Sequence, residues 1–169
     1  MEFEERLSAL AAKVGNQREA IQTEEATKNA FIMPFISTIL GYDIFNPLEV
    51  VPEFSADVGV KKNEKVDYAI MRDGEVQILI ECKKSTEPLK IEHASQLFRY
   101  FSVTNARIAV LTNGEVYNFY TDLDAPNKMD DRPFLVLDLN EIDETIVPEL
   151  KKLTKEVFDL DSVVSAAEE

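Results

Sequence analysis

The chain has 169 residues, of which 45% are hydrophobic, and this is enough for one globular domain with a core of its own. Its single cysteine excludes an internal disulfide, and no apolar run reaches the length of a signal peptide or a membrane span, so we expect a soluble, cytoplasmic protein with no membrane association. The net charge of −14 argues against a basic DNA-binding surface.

This negative charge is concentrated toward the C-terminus. Residues 23–121 carry 14 acidic and 10 basic side chains, whereas residues 122–169 carry 14 and 5. The central part of the chain is therefore closer to neutral. Contact with DNA is not excluded there, but we expect it to be weak and to depend on a metal ion or on a partner.

The first 22 residues have the pattern of an amphipathic helix. We expect Gly15-Asn16 to break or end that helix. Its apolar side chains recur at helical spacing and are Phe3, Leu7, Leu10, Ala11 and Val14.

A second helix is predicted to begin after Thr23, which is a good N-cap and is followed by two glutamates that suit the first turn of a helix. Apolar residues at helical spacing extend this helix to about Leu40. Pro34 predicts a kink within it, and Gly41 predicts its C-terminal cap.

The segment from Glu49 to Phe54 is predicted to be a strand, and Pro52 within it favours an edge position or a bulge. A polar loop over residues 55–64 follows. Three lysines in or beside that loop are placed where they could approach a phosphate backbone, although lysines in loops are usually only solvated. They are Lys61, Lys62 and Lys65.

Two apolar runs at the centre of the chain, Val66–Met71 and Val76–Ile80, predict a β-hairpin. The dipeptide Asp73-Gly74 between them is a strong turn signal. Asp67 lies near the start of the first strand, and the second strand ends in Glu-Cys-Lys at positions 81–83.

The side chains at these strand ends have the chemistry needed to hydrolyse a phosphodiester. Glu81 and Lys83 lie two positions apart and therefore share a face of the strand. Glu81 and Asp67 would supply hard oxygen ligands for Mg²⁺ or Mn²⁺, with the Cys82 carbonyl as a further ligand, and the lysine would orient or deprotonate water. Because Glu-x-Lys alone is a common triplet, a solvated ion pair at a strand end is the alternative interpretation.

Bringing both acids to one metal ion places a demand on the hairpin. A strict two-residue turn would pair Arg72 with Glu75 and would place Asp67 opposite Ile80. Glu81 would then point to the other face of the sheet, because a shift of one residue reverses every side chain. We therefore predict a three-residue connection or a β-bulge in this hairpin.

A helix is predicted from about Ile91 to Val103, and Gln96 and Tyr100 fall beside its apolar stripe. The strand Arg107–Leu111 follows that helix, and the order strand, helix, strand predicts a parallel pair of strands. The buried stripe of the helix consists of Ala94, Leu97, Phe98 and Phe101.

Two further strands are predicted, Glu115–Tyr120 after the turn signal Asn113-Gly114, and Phe134–Leu139. From Glu141 the pattern becomes helical, and we expect residues 161–169 to fray. The apolar positions of this last part are Leu150, Leu153, Val157 and Phe158, with Pro148 near a helix start.

The order helix, strand, Asp strand, Glu-x-Lys strand, helix, strand resembles the core of the PD-(D/E)xK nucleases. Asp67, Glu81 and Lys83 match the motif of that superfamily, with Val66 in place of the motif's proline. Glu25, in the helix before the first strand, falls where some members carry an additional acid, and the alternative is an ordinary first-turn acid.

A closer resemblance is to the N-terminal nuclease domain of type I restriction enzyme motor subunits. It covers roughly Thr23 to Leu139 and is carried by TEEATKNAFIMPFISTILGYDIFNPLEVVPEF, ASQLFRYF and LTNGEVYNFYTD. The resemblance implies cleavage of double-stranded DNA with Mg²⁺, which Mn²⁺ can replace, and association with helicase or other restriction subunits. No P-loop motif occurs in the chain itself.

Residue roles follow from the same resemblance. Asp67 and Glu81 are expected to hold the metal ion, and Lys83 to position or activate water. Gln96 and Tyr100 match the Q-x-x-x-Y element of some branches, and they are expected to orient the lysine or to contact the DNA backbone. Their alternative role is that of a polar edge on a packed helix.

We therefore expect a mixed α/β fold with a restriction-endonuclease-like core, extra strands and terminal helices. The expected units are a helical extension at 1–22, a nuclease-like domain at 23–140 and an acidic helical extension at 141–169.

The expected function is that of a Mg²⁺-dependent endodeoxyribonuclease. The alternative is a nuclease-like DNA-binding or regulatory module with little activity alone, acting through a partner or as a homo-oligomer joined by its terminal helices. A third possibility, an acidic domain that binds only proteins, would leave the convergence of Asp67 and Glu81 unexplained.

Overall fold

A six-stranded mixed sheet forms the centre of the protein. The structure, a computed structural model, describes residues 2–56 and 64–168, and the predicted phosphate-facing Lys61 and Lys62 lie outside these residues. The strands lie side by side in chain order, and every neighbouring pair is antiparallel except β3 and β4, which are parallel as predicted. The strands are β1 (Val50–Phe54), β2 (Val66–Arg72), β3 (Glu75–Cys82), β4 (Ile108–Thr112), β5 (Val116–Tyr120) and β6 (Leu135–Asp138).

Helices cover both faces of this sheet and confirm the mixed α/β class with terminal helices. The α-helices are α1 (Phe3–Gln17), α2 (Glu24–Thr27), α3 (Ser95–Val103), α4 (Val147–Lys151) and α5 (Leu160–Glu168). Short 3₁₀ turns occupy Arg18–Ala20, Ile91–His93 and Glu144–Ile146, and π-helical turns occupy Lys28–Ile32 and Phe35–Ile39.

The second helix confirms the predicted start and end. The Thr23 hydroxyl accepts a hydrogen bond from the Ala26 amide at 3.0 Å, which caps the helix. Pro34 separates the two π-helical turns, consistent with a disturbance of the regular helix at that residue. Gly41 has a φ of +83°, the left-handed conformation of a helix C-cap.

The expectation that Gly15-Asn16 would break or end the first helix is wrong. Helix α1 continues through both residues to Gln17. Its buried side chains, from Phe3 to Val14, hold the helix against the sheet, and this packing outweighs the low helix propensity of one glycine.

Two apolar clusters lie on opposite faces of the sheet. The larger one joins α1, the helix at residues 24–39, α4 and α5 to one face. The smaller one packs α3 against the other face through Leu97, Tyr100 and Phe101. Helix α3 connects β3 to β4. Its polar side chains therefore lie on the same side of the sheet as the smaller cluster.

The C-terminal residues are more ordered than predicted. Residues expected to fray form α5, because Leu160 and Val163 are buried in the larger cluster. The apolar faces of α1 and α4 likewise pack into the chain's own core. Within residues 2–56 and 64–168, no helix has the length and apolar character needed to cross a membrane.

Candidate functional site

A β-bulge in the β2–β3 hairpin confirms the register that the chemistry required. At the turn, Arg72 pairs with Glu75 as in a strict two-residue hairpin. The register then shifts between Ile70 and Met71, so that Ile70 pairs with Ile78. Gln77 is the extra residue on β3.

The two apolar clusters show the same reversal. Val76 packs in the cluster under α3, whereas Ile78, two positions later, packs in the cluster on the opposite face. In a regular strand these two side chains would share a face. Beyond the bulge Tyr68 pairs with Ile80, so the next residues outward, Asp67 and Glu81, come opposite each other on one face.

The carboxyl groups of Asp67 and Glu81 meet in a largely buried position. Glu81 is 6% exposed. Its burial, a hydrogen bond shared with Asp67 and the negative charge of Asp67 raise the pKa of Glu81 to about 8, while the nearby Lys83 ammonium acts in the opposite direction. The two acids therefore gain from a proton or a cation between them.

Both oxygens of Asp67 already have partners. The Cys82 amide donates a hydrogen bond to Asp67 Oδ2 at 2.7 Å, which brings the Cys82 backbone next to the two acids. Lys28 Nζ lies 2.7 Å from Asp67 Oδ1 and 3.1 Å from Glu25 Oε1. Burial lowers the pKa of the Lys28 ammonium, but the hydrogen bond and charge of Asp67 outweigh burial, so the net shift is upward.

The helix that carries Lys28 also contributes an acid that the sequence interpretation missed. Burial and the negative charge of Asp67 raise the pKa of Glu24, while Lys28 and Lys83 act to lower it. Glu24 also contributes to the raised pKa of Glu81. Its carboxylate therefore shares the electrostatic environment of the site with all these groups.

Glu25, the helix acid that was predicted instead, is more peripheral. Its side chain is 76% exposed, and its contact with the site passes through Lys28. The sequence placed acids in the first turn correctly but could not decide which of the two adjacent acids interacts with Asp67.

Gln96 and Tyr100 hold the chain just before β2. The Gln96 carboxamide oxygen accepts a hydrogen bond from the Lys65 amide at 3.1 Å, and the buried Tyr100 hydroxyl donates to the Glu64 carbonyl at 2.6 Å. Both side chains thus fix the backbone two to three residues before Asp67. This geometry favours a positioning role for them.

A buried polar network braces the helix of Lys28 against the end of β3. Thr27 Oγ1 accepts from the Ser85 amide at 2.8 Å, and Ser85 Oγ donates to Glu115 Oε2 at 2.7 Å. Arg18 Nε pairs with Glu115 Oε1 at 2.8 Å. The network links the helix to the segment that directly follows β3, where Lys83 lies.

The donor set suits a hard divalent cation. Two facing carboxylates and a neighbouring backbone carbonyl are oxygen ligands, and Mg²⁺ is commonly held by one or two carboxylates with water completing its shell. Within residues 2–56 and 64–168, no group of three or more His, Cys, Asp or Glu side chains is arranged to hold a metal ion. A cation held by Asp67, Glu81 and the Cys82 carbonyl would therefore need water for its remaining positions. The Cys82 thiol itself is buried on the opposite face, and burial raises its pKa.

Residues 46–128 match the family model of the type I restriction enzyme R protein N terminus. This match supports the resemblance of the region to the N-terminal nuclease domain of type I restriction enzyme R subunits. The matched region contains the bulged hairpin and α3, and with them Asp67, Glu81, Lys83 and the pair Gln96 and Tyr100. No curated protein and no solved structure gave a significant match.

The helix with Glu24 and Lys28 precedes the matched residues, yet it packs directly on the candidate site. Lys28 was missed because it lies 39 positions before Asp67 and belongs to no short motif. Its position in the second turn of a helix that also carries two acids was the available signal, and that pattern is also typical of a solvated helix face.

Proposed function

We propose that this chain is a Mg²⁺-dependent endodeoxyribonuclease of the type I restriction R-subunit kind. The observation that supports the proposal most directly is the bulge at Gln77, which brings Asp67 and Glu81 opposite each other beside Lys83. A bulge that turns two acids toward one another in a largely buried site is costly unless the acids share a proton or hold a cation, and a nuclease site supplies the cation.

In this proposal each residue has a defined task. Asp67, Glu81 and the Cys82 carbonyl hold the cation. When bound, Mg²⁺, or Mn²⁺ in its place, supplies a Lewis acid for the phosphoryl oxygen and lowers the pKa of a water. Lys83 orients that water or stabilises the charge that develops on the phosphate.

Gln96 and Tyr100 act indirectly, through the backbone that precedes Asp67. By binding the backbone of Glu64 and Lys65 they keep β2 in register, so that Asp67 reaches β3. They are positioning residues in this proposal, since the structure directs the polar ends of both side chains to the backbone.

Plasmid cleavage tests the proposal. We expect the wild-type chain to cut plasmid DNA in the presence of Mg²⁺ or Mn²⁺, and the Lys83→Ala variant to be slower by at least about 100-fold, because it lacks the group that assists the water. Lys84→Ala is the matched control, since Lys84 is the next residue and is exposed. Equal cutting by wild type and Lys83→Ala would contradict the proposal.

The acidic character of the chain favours one alternative. With a net charge of −14, the chain has little general attraction for DNA, as expected of a module that acts through restriction subunits, a helicase or a second copy of itself. Where the partner is a restriction subunit or a helicase, that alternative predicts that the isolated chain binds the metal ion without cleaving DNA.

A further inference from the structure

Lys28 forms an ion pair with the candidate metal ligand Asp67, and the proposed nuclease chemistry gives Lys28 no role. Its ammonium lies 2.7 Å from Asp67 Oδ1, and its side chain is 15% exposed. The other oxygen of Asp67 accepts from the Cys82 amide. Both oxygens of this carboxylate are thus engaged in the structure, and a divalent cation has to compete with Lys28 for Oδ1.

Lys28 also has a second partner that would let it leave. Glu25 Oε1 lies 3.1 Å from the same ammonium, and the Glu25 side chain is 76% exposed. Because the lysine stem is flexible and Glu25 is on the solvent side, the ammonium can move outward without losing all of its ionic contacts. A lysine paired only with Asp67 would lose its ionic contact on moving away from that carboxylate.

We infer that Lys28 is an internal cation that occupies the metal-facing oxygen of Asp67 in the metal-free protein and moves off it, toward Glu25, when a divalent cation binds. The inference rests on the proposed metal site at Asp67 and Glu81. In the metal-free protein Lys28 neutralises one of two facing carboxylates, and this makes loading of the site conditional on displacing it.

Coulomb repulsion sets the expected effect. A monovalent ammonium within a few ångströms of a divalent cation opposes its binding, even in a partly solvated site. Removing that charge is therefore expected to tighten divalent-cation binding by roughly tenfold. A residue with a purely structural role would not tighten binding when it is removed.

The test is Mn²⁺ binding by titration calorimetry, with four forms of the full chain. Lys28→Met is expected to bind Mn²⁺ roughly tenfold more tightly than wild type. Lys28→Arg keeps the charge and is expected to stay close to wild type. Lys155→Met is the matched control. Lys155 forms an ion pair with Glu49 at 2.9 Å, this pair lies away from the site, and its loss should not change the affinity for Mn²⁺.

The outcomes separate this inference from the proposed function. Equal affinity in wild type and Lys28→Met, or weaker binding by the variant, would overturn the inference and leave the metal site in place. Absence of Mn²⁺ binding in all four forms would overturn the metal site itself, and the inference with it.

A second measurement on the wild-type chain keeps the inference testable if Lys28→Met does not fold. The amino ¹⁵N signal of Lys28, identified by its absence in Lys28→Arg, is followed while Mg²⁺ is added. We expect the signal to shift or to be lost through exchange with water as the site fills. An unchanged signal at saturating Mg²⁺ would overturn the inference.

Discussion

The protonation of Glu81 depends on the other groups of the candidate site. Glu81 is an acid at the end of a buried strand, it faces Asp67, and its pKa is raised to about 8 by burial first and by Asp67 second. Glu81 therefore keeps its proton to a higher pH than an exposed carboxyl does, and this proton reduces the repulsion between the two facing carboxylates. A bound cation would replace that proton.

The raised pKa of Glu81 predicts a pH dependence of stability. A group whose pKa is higher in the folded state binds more protons there than in the unfolded chain, so its contribution is complete below its usual value of 4.5 and is lost as the pH rises through about 8. With a metal chelator present, the melting temperature should fall as the pH is raised from 5 to 8. We expect this fall to be roughly 5 °C larger in wild type than in Glu81→Gln.

The comparison with Glu81→Gln is needed because the net charge of −14 also destabilises the fold as the pH rises. The substitution leaves that background almost unchanged. Parallel pH curves for the two proteins would show that Glu81 ionises in the folded chain as it does in water, and would contradict the buried pairing with Asp67.

At the scale of elements, the bulged hairpin determines which side chains meet. The strand pattern alone predicted a strict turn at Asp73-Gly74, and the turn does pair Arg72 with Glu75. The bulge could be predicted only by requiring that Asp67 and Glu81 share a face. Its place, opposite Ile70 and Met71, could not, because several positions along the strands satisfy that requirement equally well.

Deleting the bulged residue should therefore abolish metal binding. Without Gln77 the ladder returns to a strict register, and Glu81 points to the opposite face from Asp67. We expect the melting temperature of the deletion variant to be insensitive to Mn²⁺, whereas Gln77→Ala, which keeps the extra residue, responds as wild type does. Stabilisation of the deletion variant by Mn²⁺ to the wild-type extent would show that the bulge is not needed.

The sequence did not predict how the helix at residues 24–39 packs against the end of β3. The amphipathic pattern predicted the helix, its cap at Thr23 and its end near Gly41, and all three are confirmed. The pattern does not encode the rotation of the helix about its axis, which places Lys28 against Asp67 and leaves Glu25 in solvent. That rotation depends on contacts distant in sequence, such as the hydrogen bond between Thr27 and Ser85.

At the scale of the whole molecule, the mixed sheet and the parallel β3–β4 pair were predicted because they follow from local signals: turn dipeptides, apolar runs and the order strand, helix, strand. The terminal segments were predicted less well. Residues 161–168 form a helix because Leu160 and Val163 reach a core that the local sequence does not reveal.

The distribution of charge also belongs to the whole molecule. The acids of residues 122–169 lie outside the part of the chain that matches the R-protein N-terminal family, apart from those at residues 122 and 124. Such an acidic segment weakens contact with DNA over distances of about a Debye length, roughly 8 Å at physiological salt. A restriction subunit that brings DNA to the site would offset this repulsion.

The most direct measurement is the anomalous scattering of Mn²⁺ in crystals of the wild-type chain. A peak within about 2.5 Å of carboxylate oxygens from both Asp67 and Glu81 is predicted, because the bulge turns these two acids toward one cation. A peak bound to only one of the two acids, or no peak between them at saturating Mn²⁺, would contradict the proposed metal site.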